Sequence, residues 1–449
     1  MDGRSLSEIL SEYVTNIEYK ELPTDVIDKT KECMLDFIGV AAIGSRSKIG
    51  QILIDVMKEF NEKSLATIIG TNLRVSPPSA ALVNSVMAHA YEFDDVTPGH
   101  PGCIIIPAAL SLVNQNIEGK DLILAIVLGY EVMGRIGAAY NLPGIRLTPR
   151  LHGFHSFTTQ GVFGSAAAAG KILKLDRIEM VNAFGIAGTQ ASGLAESINV
   201  GAMTKPLDAG RASQSGVYSA ILARKGLQGA KSIFEGKDGF YKAFSFNGYD
   251  ISKVTENLGN NFQIMHTFFK FYPCCAGLHL AIDAACYLNQ QGGFSIDEID
   301  DVEIKTNEHA FKSYNKTILH SIQDAQFSLP YVTAVALKKG NVTLEDFSEE
   351  SIRNSAILKL AQKIGVNSDS EKYYPKTPVE VSVTTKDGIK HIKKIDTRKE
   401  RKFDELQIKF INLTTPILGQ EKAKKLLDTI KHLEKIKGIT SLLDLLVLN

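Results

Sequence analysis

The densest group of acid and base side chains in the sequence lies between residues 89 and 102. His89-Ala-Tyr-Glu-Phe-Asp-Asp95 is followed by Thr97-Pro-Gly-His100-Pro-Gly102. Adjacent carboxylates near two imidazoles shift one another's pKa values and can accept a proton, and the Gly and Pro residues predict that His100 lies in a loop. The structural alternative is that Asp94 and Asp95 cap the next segment and that His89 is a hydrogen-bonded core histidine.

A second group precedes an alanine-rich stretch. It contains Arg146, Arg150 and His152-Gly-Phe-His155, followed by Thr158-Thr159. Free N–H groups at a helix N-terminus favour anions, so this segment predicts an anion site at which His155 exchanges a proton. The structural alternative is that a threonine caps the helix and the arginines lie in a solvated loop.

Two further segments place a lysine in a Gly- and Pro-containing loop ahead of an alanine-rich helix. One runs from Gly201 through Lys205 to Arg211, and the other is Lys270-Phe-Tyr-Pro-Cys-Cys275-Ala-Gly-Leu-His279. Loops of this kind bind carboxylates or phosphates. Lys205 and Lys270 are therefore candidate ligands of an anionic substrate.

The sequence predicts neither a metal nor an organic cofactor. Cys274 and Cys275 are adjacent and lack Cys-x-x-Cys spacing, and no His-Glu-x-x-His helix carries the histidines. The glycine-rich phosphate loops of ATP and NAD sites are also missing. The alternative is a metal bound by the imidazoles and carboxylates of residues 89–100 and 152–155.

The composition is that of an ordinary globular chain. Its 449 residues, 44% hydrophobic and 22% charged, are enough for two domains. Fifty basic and fifty acidic residues give zero formal net charge, and so no general attraction to nucleic acid. Five scattered cysteines and a first segment without a long apolar run predict a cytoplasmic protein, and no stretch reaches the ~20 apolar residues of a membrane span.

Helical periodicity dominates the first half of the chain. Apolar residues from Leu6 to Ile17 recur at helical spacing, and a second helix is predicted to start near Pro23 with Thr24 as its cap. From Pro77 to about Gly229, Ala, Gly, Ser and Leu dominate. Small side chains let helices approach closely, so this stretch predicts a tightly packed helical core.

The pattern changes beyond about residue 268. Apolar residues alternate over 302–306, and again over 379–383 before Asp387-Gly388 and 389–395, which predicts an early strand and a later hairpin. Helical stretches over 327–339 and 351–364 lie between them. We therefore predict a helical domain of residues 1–267 and 396–449, with residues 268–395 as a smaller α+β unit.

Together these segments resemble the MmgE/PrpD family, which includes 2-methylcitrate dehydratase, cis-aconitate decarboxylase and iminodisuccinate epimerase. Gly153-Phe-His-Ser-Phe-Thr158 and Asp324-Ala-Gln-Phe-Ser-Leu-Pro-Tyr331 add to the match, which runs over roughly residues 5–440. The resemblance implies a mainly α fold, with a large all-helical domain and a smaller α+β lid domain. It also implies a homodimer that needs no cofactor.

The resemblance further implies an active site between the two domains. The residues matched to catalytic positions are Asp94, His100, His155, Lys205, Lys270 and Tyr331, and those matched to substrate-binding positions are Thr97, Arg211, His279 and Asp95. The implied chemistry makes or protonates a carbanion next to a carboxylate. Lysines neutralise its charge, an imidazole exchanges the proton, and Tyr331 assists a leaving hydroxyl or orients a carboxylate.

The leading expectation is a cofactor-independent lyase that acts on a small di- or tricarboxylic acid, by dehydration of a 2-methylcitrate-like substrate. A cis-aconitate decarboxylase-like or an iminodisuccinate epimerase-like enzyme is the alternative. A function of another class is a non-catalytic helical scaffold. No nucleic acid or membrane partner is expected.

Overall fold

The computed structural model describes residues 3–62, 64, 66–97, 99–140, 149, 152–245, 248–370, 378–399 and 401–448. Buried apolar side chains form two cores in these ranges. The larger core draws on residues 6–264 and 410–446, and the smaller one on residues 272–383. The structure is mainly helical with small sheets, which confirms the predicted fold class of a mainly α protein with a smaller α+β portion.

The longer helices follow one another along the chain with few strands between them. In order they are α1 (Leu6–Asn16), α2 (Thr24–Gly44), α3 (Lys48–Phe60), α4 (Pro77–His89), α5 (Gly102–Ser111), α6 (Gly119–Ala138), α7 (Ser156–Ile172), α8 (Arg177–Gly188), α9 (Lys205–Arg224), α10 (His279–Gln291), α11 (Glu308–Tyr314), α12 (Leu329–Lys339), α13 (Ser355–Ala361), α14 (Phe403–Leu418) and α15 (Gln420–Lys431). Shorter helices span Glu196–Asn199, Phe240–Phe244, Ser252–Thr255, Ile322–Gln326 and Thr440–Leu445.

The first two helices start close to where the sequence predicts them. Ser5 and Glu8 form a capping box at the N-terminus of α1, which satisfies N–H groups that the helix leaves free. In α2 the cap position belongs to Pro23, and Thr24 is already the first helical residue. The predicted Thr24 cap is therefore wrong by one residue, because Pro23 keeps the extended conformation that a cap position needs.

Small residues allow the helices of the larger core to pack closely, as predicted. A Cβ atom on Gly164 of α7 would lie 2.7 Å from the Gly129 carbonyl oxygen of α6. A Cβ atom on Gly216 of α9 would lie 2.3 Å from Ser165 Oγ of α7. These close approaches bring α6, α7 and α9 into one layer, which fixes where the N-termini of α7 and α9 lie.

The smaller core contains a four-stranded sheet of β3 (Ile299–Asn307), β4 (Ile364–Ser370), β5 (Val379–Thr385) and β6 (Lys390–Ile395). A separate two-stranded ribbon pairs β1 (Ala66–Thr67) with β2 (Arg74–Val75) in the first part of the chain. In the sheet the order is β4-β3-β5-β6, with β3 parallel to β4 and antiparallel to β5. The predicted β5–β6 hairpin and early β3 strand are confirmed.

The fourth strand, β4, was not predicted. The sequence favoured a helix over 351–364, whereas the helix α13 ends at Ala361 and β4 begins at Ile364. As an edge strand, β4 has only β3 as its partner, and its Asn-Ser-Asp-Ser stretch shows no apolar alternation. Pairing with β3, and not the local sequence pattern, therefore determines that these residues form a strand.

The last helices return to the larger core. Helix α14 packs against α2, and the buried Lys409 of α14 pairs with Asp36 of α2 at 2.7 Å.

Among the described residues, no single helix combines the length and hydropathy of a membrane span. Helices α2 and α3 pass that test only together, as a pair bent by 78°.

Candidate active site

Three sequence-distant parts of the chain meet in a buried group that we call the charge cluster. The C-terminus of α4, the loop after it, the N-terminus of α9 and the segment leading to residue 270 supply its members. Its five residues are all buried: His89, Glu92, Asp94, Lys205 and Lys270.

Local structure places the two lysines. Pro206, which has no N–H to leave unpaired, lies in the first turn of α9 and fixes Lys205 at the helix start. Val96 and Phe268 exchange two backbone hydrogen bonds, of 2.9 and 2.8 Å. This short antiparallel bridge holds the segment that carries Lys270 alongside the 92–97 loop.

Glu92 links the two lysines. Its Oε1 accepts a hydrogen bond from Lys205 Nζ, and its Oε2 accepts one from Lys270 Nζ at 3.0 Å. Lys270 Nζ also donates to the Glu92 carbonyl oxygen at 2.8 Å. Glu92 has a left-handed backbone with φ of 53°, which is uncommon for a residue other than glycine. The contacts with Lys270 hold it in this conformation.

Asp94 is shared by two imidazoles. Its Oδ2 lies 2.9 Å from His89 Nδ1 and 3.2 Å from His100 Nδ1, while its Oδ1 lies 3.9 Å from Lys270 Nζ. Burial alone would raise the pKa of Asp94, but the two imidazoles hold that pKa well below its usual value. Asp94 is therefore an ionised acceptor that fixes the orientation of both rings.

A hydrogen-bonded chain connects Lys205 to Asp94 through His89. Lys205 Nζ donates to His89 Nε2 at 2.7 Å, so His89 carries its proton on Nδ1, facing Asp94. Burial lowers the pKa of His89 well below its usual value, which keeps the ring neutral. Burial, and then the nearby Lys270, also lower the pKa of Lys205 well below that of an ordinary lysine.

A second group, which we call the histidine rim, lies next to the cluster and consists of His100, His155, Phe157 and Asp208. His155 occupies the N-cap position of α7, and its Nδ1 lies 3.1 Å from Asp208 Oδ2 in the first turn of α9. His100 Nδ1 lies 3.2 Å from the Asp95 carbonyl oxygen. The Phe157 ring centroid is 5.0 Å from that of His100 and 4.4 Å from that of His155.

Gly99 allows the rim to close around Phe157. Its φ of 105° lies in the region that favours glycine, and a Cβ atom there would lie 2.4 Å from Phe157 Cβ.

The histidine rim is more exposed to solvent than the charge cluster. The side chains of His100 and Asp208 are 15% and 22% exposed, whereas that of Lys270 is fully buried. The rim is therefore the more solvent-exposed side of this region.

Asp95 supports the loop instead of facing the cluster. Its Oδ1 accepts the Gly102 N–H at 3.0 Å at the start of α5, and its Oδ2 accepts the Tyr130 hydroxyl at 2.6 Å. Burial, and then the Asp36 carboxylate, raise the pKa of Asp95 to about 7. Asp95 thus accepts an N–H at the start of α5, as the structural alternative described, although Pro101 has the cap position.

Four other predicted site residues are not brought into the cluster. Thr97 is half-buried and pairs through its backbone with Gly99. Arg211 is exposed, because six helical residues after Lys205 place it on a different face of α9. Its guanidinium donates to Gln214. His279 is buried against the Tyr272 ring, and Tyr331 lies in the smaller core, where its hydroxyl donates to the Asp346 carbonyl at 2.5 Å.

The smaller core reaches the charge cluster through a different segment. Gln326 Nε2 donates to the Tyr91 carbonyl oxygen at 3.0 Å, and the Phe327 ring lies 5.8 Å from Lys205 Nζ. The ring of Tyr314 lies 6.1 Å from that of Phe327. Phe327 therefore borders the cluster with Tyr314 next to it, whereas the packing of α12 turns Tyr331 into the core.

The described residues contain one group with the geometry of a metal site, formed by His89, Asp94 and His100, whose ligand atoms lie within 4.8 Å of one another. These atoms already bind each other, and Lys205 donates to the remaining nitrogen of His89. Two lysines would also repel a cation. The donor set therefore does not fit a divalent metal.

The sequence interpretation matched no site role to Glu92, Asp208, His89 or Phe157, although all four lie in segments that it singled out and His89 was among its candidate imidazoles. Asp208 follows Lys205 by three residues, which places both in the first turn of α9. That spacing was the available signal. Nothing local identifies Glu92, because its partners are 113 and 178 residues away. Arg146 and Arg150 lie outside the described residues.

Comparisons with known proteins agree with this architecture. The family model of the MmgE/PrpD N-terminal domain matches residues 8–252, and that of the MmgE/PrpD C-terminal domain matches residues 272–435. Cis-aconitate decarboxylase of Mus musculus is 26% identical, covering 99% of this chain and 93% of the relative. That of Aspergillus terreus is 27% identical, covering 99% and 97%. A 2-methylcitrate dehydratase of Salmonella typhi is 26% identical, covering 67% and 64%.

Proposed function

The chain belongs to the MmgE/PrpD family, and from that membership and the site geometry we propose that it is a lyase acting on a small di- or tricarboxylic acid. The reaction needs no metal or organic cofactor and moves a proton at carbon next to a carboxylate. One observation carries the proposal: two rim imidazoles, each held at Nδ1 by a carboxylate, lie beside two buried lysines.

The rim histidines exchange the proton. A carboxylate that accepts the Nδ1 proton fixes the ring and makes Nε2 the basic nitrogen. Asp208 does this for His155, whereas His100 Nδ1 lies 3.2 Å from both Asp94 Oδ2 and the Asp95 carbonyl oxygen. Both rings are therefore oriented so that Nε2 exchanges a proton with a bound substrate.

The charge cluster neutralises the negative charge of the intermediate. A carbanion next to a carboxylate is too basic to persist in water, and buried cations stabilise it because the surroundings screen them weakly. In this structure Glu92 binds both lysines. A substrate carboxylate competes with Glu92 for Lys205, the lysine that also touches His89.

The first candidate reaction is decarboxylation, which is favoured by relatives that match over nearly their whole length. The bond between carbon and one carboxylate of an unsaturated tricarboxylate breaks, and carbon dioxide leaves. The electron pair moves into the adjoining double bond and carboxylate. A protonated rim histidine then delivers one proton to carbon, giving an unsaturated dicarboxylate.

The second candidate is dehydration of a 2-methylcitrate-like acid, favoured by the match to 2-methylcitrate dehydratases over 67% of the chain. One rim histidine removes the proton from the carbon next to a carboxylate. The other protonates the leaving hydroxyl, which departs as water, and a carbon–carbon double bond forms. Both candidates use the rim histidines and the same cations.

Proton NMR in deuterium oxide tests the proposal. The protein is incubated separately with cis-aconitate, 2-methylcitrate, citrate and iminodisuccinate. Decarboxylation gives a product with one deuterium on carbon, dehydration gives an alkene, and epimerisation gives a labelled substrate of inverted configuration. If no substrate changes and no carbon takes up deuterium, the chain is a scaffold and the lyase proposal fails.

We also propose that two copies form a homodimer in the cytoplasm. Family membership supports the dimer, and apolar side chains that face solvent around α9 offer a surface for it, among them Val200, Met203, Tyr218, Leu222 and Leu227. The five free cysteines suit a reducing compartment. Light scattering should give twice the mass of 49.0 kDa, and Tyr218→Asp with Leu222→Asp should give the single mass.

A further inference from the structure

We propose that Lys409 and Asp36 are positioning residues for this reaction, a role that rests on the proposed function. Lys409 lies on α14, in the segment that follows the smaller core, and Asp36 lies on α2. Both are buried, and neither touches the imidazoles or carboxylates assigned to the chemistry. They act through the backbone that carries those groups.

The Lys409 ammonium has three close acceptors. Nζ donates to Asp36 Oδ1 at 2.7 Å, to the Phe93 carbonyl oxygen at 2.7 Å and to the Lys270 carbonyl oxygen at 2.8 Å. An ammonium group has three protons, so these contacts use all of them. The Phe93 ring, 3.9 Å from Nζ, covers the charge.

The two carbonyl acceptors belong to the active-site backbone. Phe93 lies between Glu92 and Asp94, and Lys270 is itself a member of the charge cluster. Lys270 Nζ ties the same two segments together from the other side, through the Glu92 carbonyl and carboxylate. The 92–94 loop and residue 270 are thus held between two ammonium groups.

This arrangement sets the distance between the Lys270 ammonium and the carboxylates of Glu92 and Asp94. A displacement of about 1 Å in a catalytic group can lower a rate about 10²-fold. Asp36 Oδ1 anchors Lys409, and the pairing offsets the cost of burying the two groups. Helix α14 therefore completes the site from the far end of the sequence.

A purely structural ion pair would give the same contacts, so the test separates the two roles. Removing one partner leaves a buried charge and threatens folding, whereas replacing both by apolar residues is often neutral for stability. The test variant is therefore the double substitution Lys409→Met with Asp36→Leu. It removes the contacts to Phe93 and Lys270 without leaving an unpaired charge.

The chain offers a matched control in Lys171 of α7. Its Nζ also donates to three carbonyl oxygens, those of Val14, Thr15 and Ile17, at 2.8 to 3.1 Å. It lies sixteen residues along from His155, about 24 Å at the rise of a helix. Lys171→Met thus removes a similar ammonium far from the site.

We expect the double variant to lower kcat about 10²-fold with KM changed less than about threefold, and Lys171→Met to keep kcat near that of the wild type. Hydrogen exchange supplies a readout that does not need activity. The Val96 and Phe268 amides, which bridge the two held segments, should exchange at least about tenfold faster in the double variant and unchanged in Lys171→Met.

Unchanged exchange and unchanged kcat in the folded double variant would overturn the proposal, as would an equal loss of kcat in Lys171→Met. If the double variant does not fold, Asp36→Asn keeps an acceptor for Lys409 and should cost only a few-fold in kcat. If Asp36→Asn instead lowers kcat 10²-fold while amide hydrogen exchange is unchanged, the effect is one of charge and the positioning proposal is refuted. If the wild type has no lyase activity, the proposed function fails, and the exchange rates still decide this proposal.

Discussion

The charge cluster and the histidine rim contain the same kinds of side chain but treat charge in opposite ways. In the cluster, the Glu92 carboxylate pairs with both lysines and the Asp94 carboxylate pairs with two imidazoles. Both carboxylates are almost fully buried. In the rim, His155 has a half-buried carboxylate partner and His100 keeps part of its ring at the surface. In the proposed function, the cluster therefore supplies a fixed potential and the rim supplies the groups that meet substrate.

The rim should show the largest effect of a single substitution. His100→Asn and His155→Asn each remove a proton-exchanging ring while keeping a polar side chain, so we expect kcat to fall about 10²–10⁴-fold. Steady-state kinetics and thermal unfolding measure the two effects. His432→Asn, at an exposed position on the C-terminal side, is the control. Wild-type turnover in both rim variants would move the proton exchange elsewhere.

The cluster should respond next, and with a different kinetic signature. Lys205→Met and Lys270→Met each remove a buried cation that meets developing charge, so we expect kcat to fall about 10²–10³-fold. Lys205 also binds the ground-state carboxylate, and its variant should raise KM as well. Calorimetry with a dicarboxylate measures that part. If affinity and turnover both stay unchanged, these lysines serve only the fold.

The contribution of the smaller core distinguishes two tyrosines. Sequence matching points to Tyr331, whereas the structure places Tyr314 beside Phe327, whose ring lies 5.8 Å from Lys205 Nζ. Tyr314→Phe should lower kcat about tenfold. Tyr331→Phe should leave kcat within about twofold and lower the free energy of unfolding by about 1–3 kcal/mol, since the Asp346 carbonyl loses its donor. The opposite result would restore Tyr331 to the site.

The smallest expected effect is a change in the free energy of unfolding with pH, caused by the buried Asp95. The pKa of Asp95 is raised from 3.8 to about 7, so between these values the folded state keeps a proton that the unfolded state has lost. The contribution of Asp95 to stability therefore falls as pH rises through this window, by at most about 4 kcal/mol.

Asp95→Asn removes that dependence. Urea unfolding at pH 4.5 and pH 7.5 should show that the free energy of unfolding of the Asn variant, minus that of the wild type, increases with pH. An equal difference at the two pH values would mean that Asp95 is ionised in the folded protein. Asp28→Asn, at an exposed position, is the control for the loss of one carboxylate.

Much of the fold could be predicted because its signals are local. The helical spacing from Leu6 to Ile17, and the alternation before Asp387-Gly388, act within a few residues and were confirmed. β4 could not be predicted, because its neighbour β3 is about sixty residues away and supplies the pairing. The segments of the site could be located in the same local way, from histidines and lysines in Gly- and Pro-containing loops.

The sequence by itself determined which segments carry the chemistry, since residue type and turn chemistry are properties of short stretches. Only the tertiary structure decided the partners. It placed the Glu92 carboxylate between two lysines, moved Arg211 to the surface and Tyr331 into a core, and joined Lys409 to Phe93 and Lys270. The physical reason is that a buried charge is stable only where packing brings it a counter-charge or a hydrogen-bond partner, and packing depends on the whole chain.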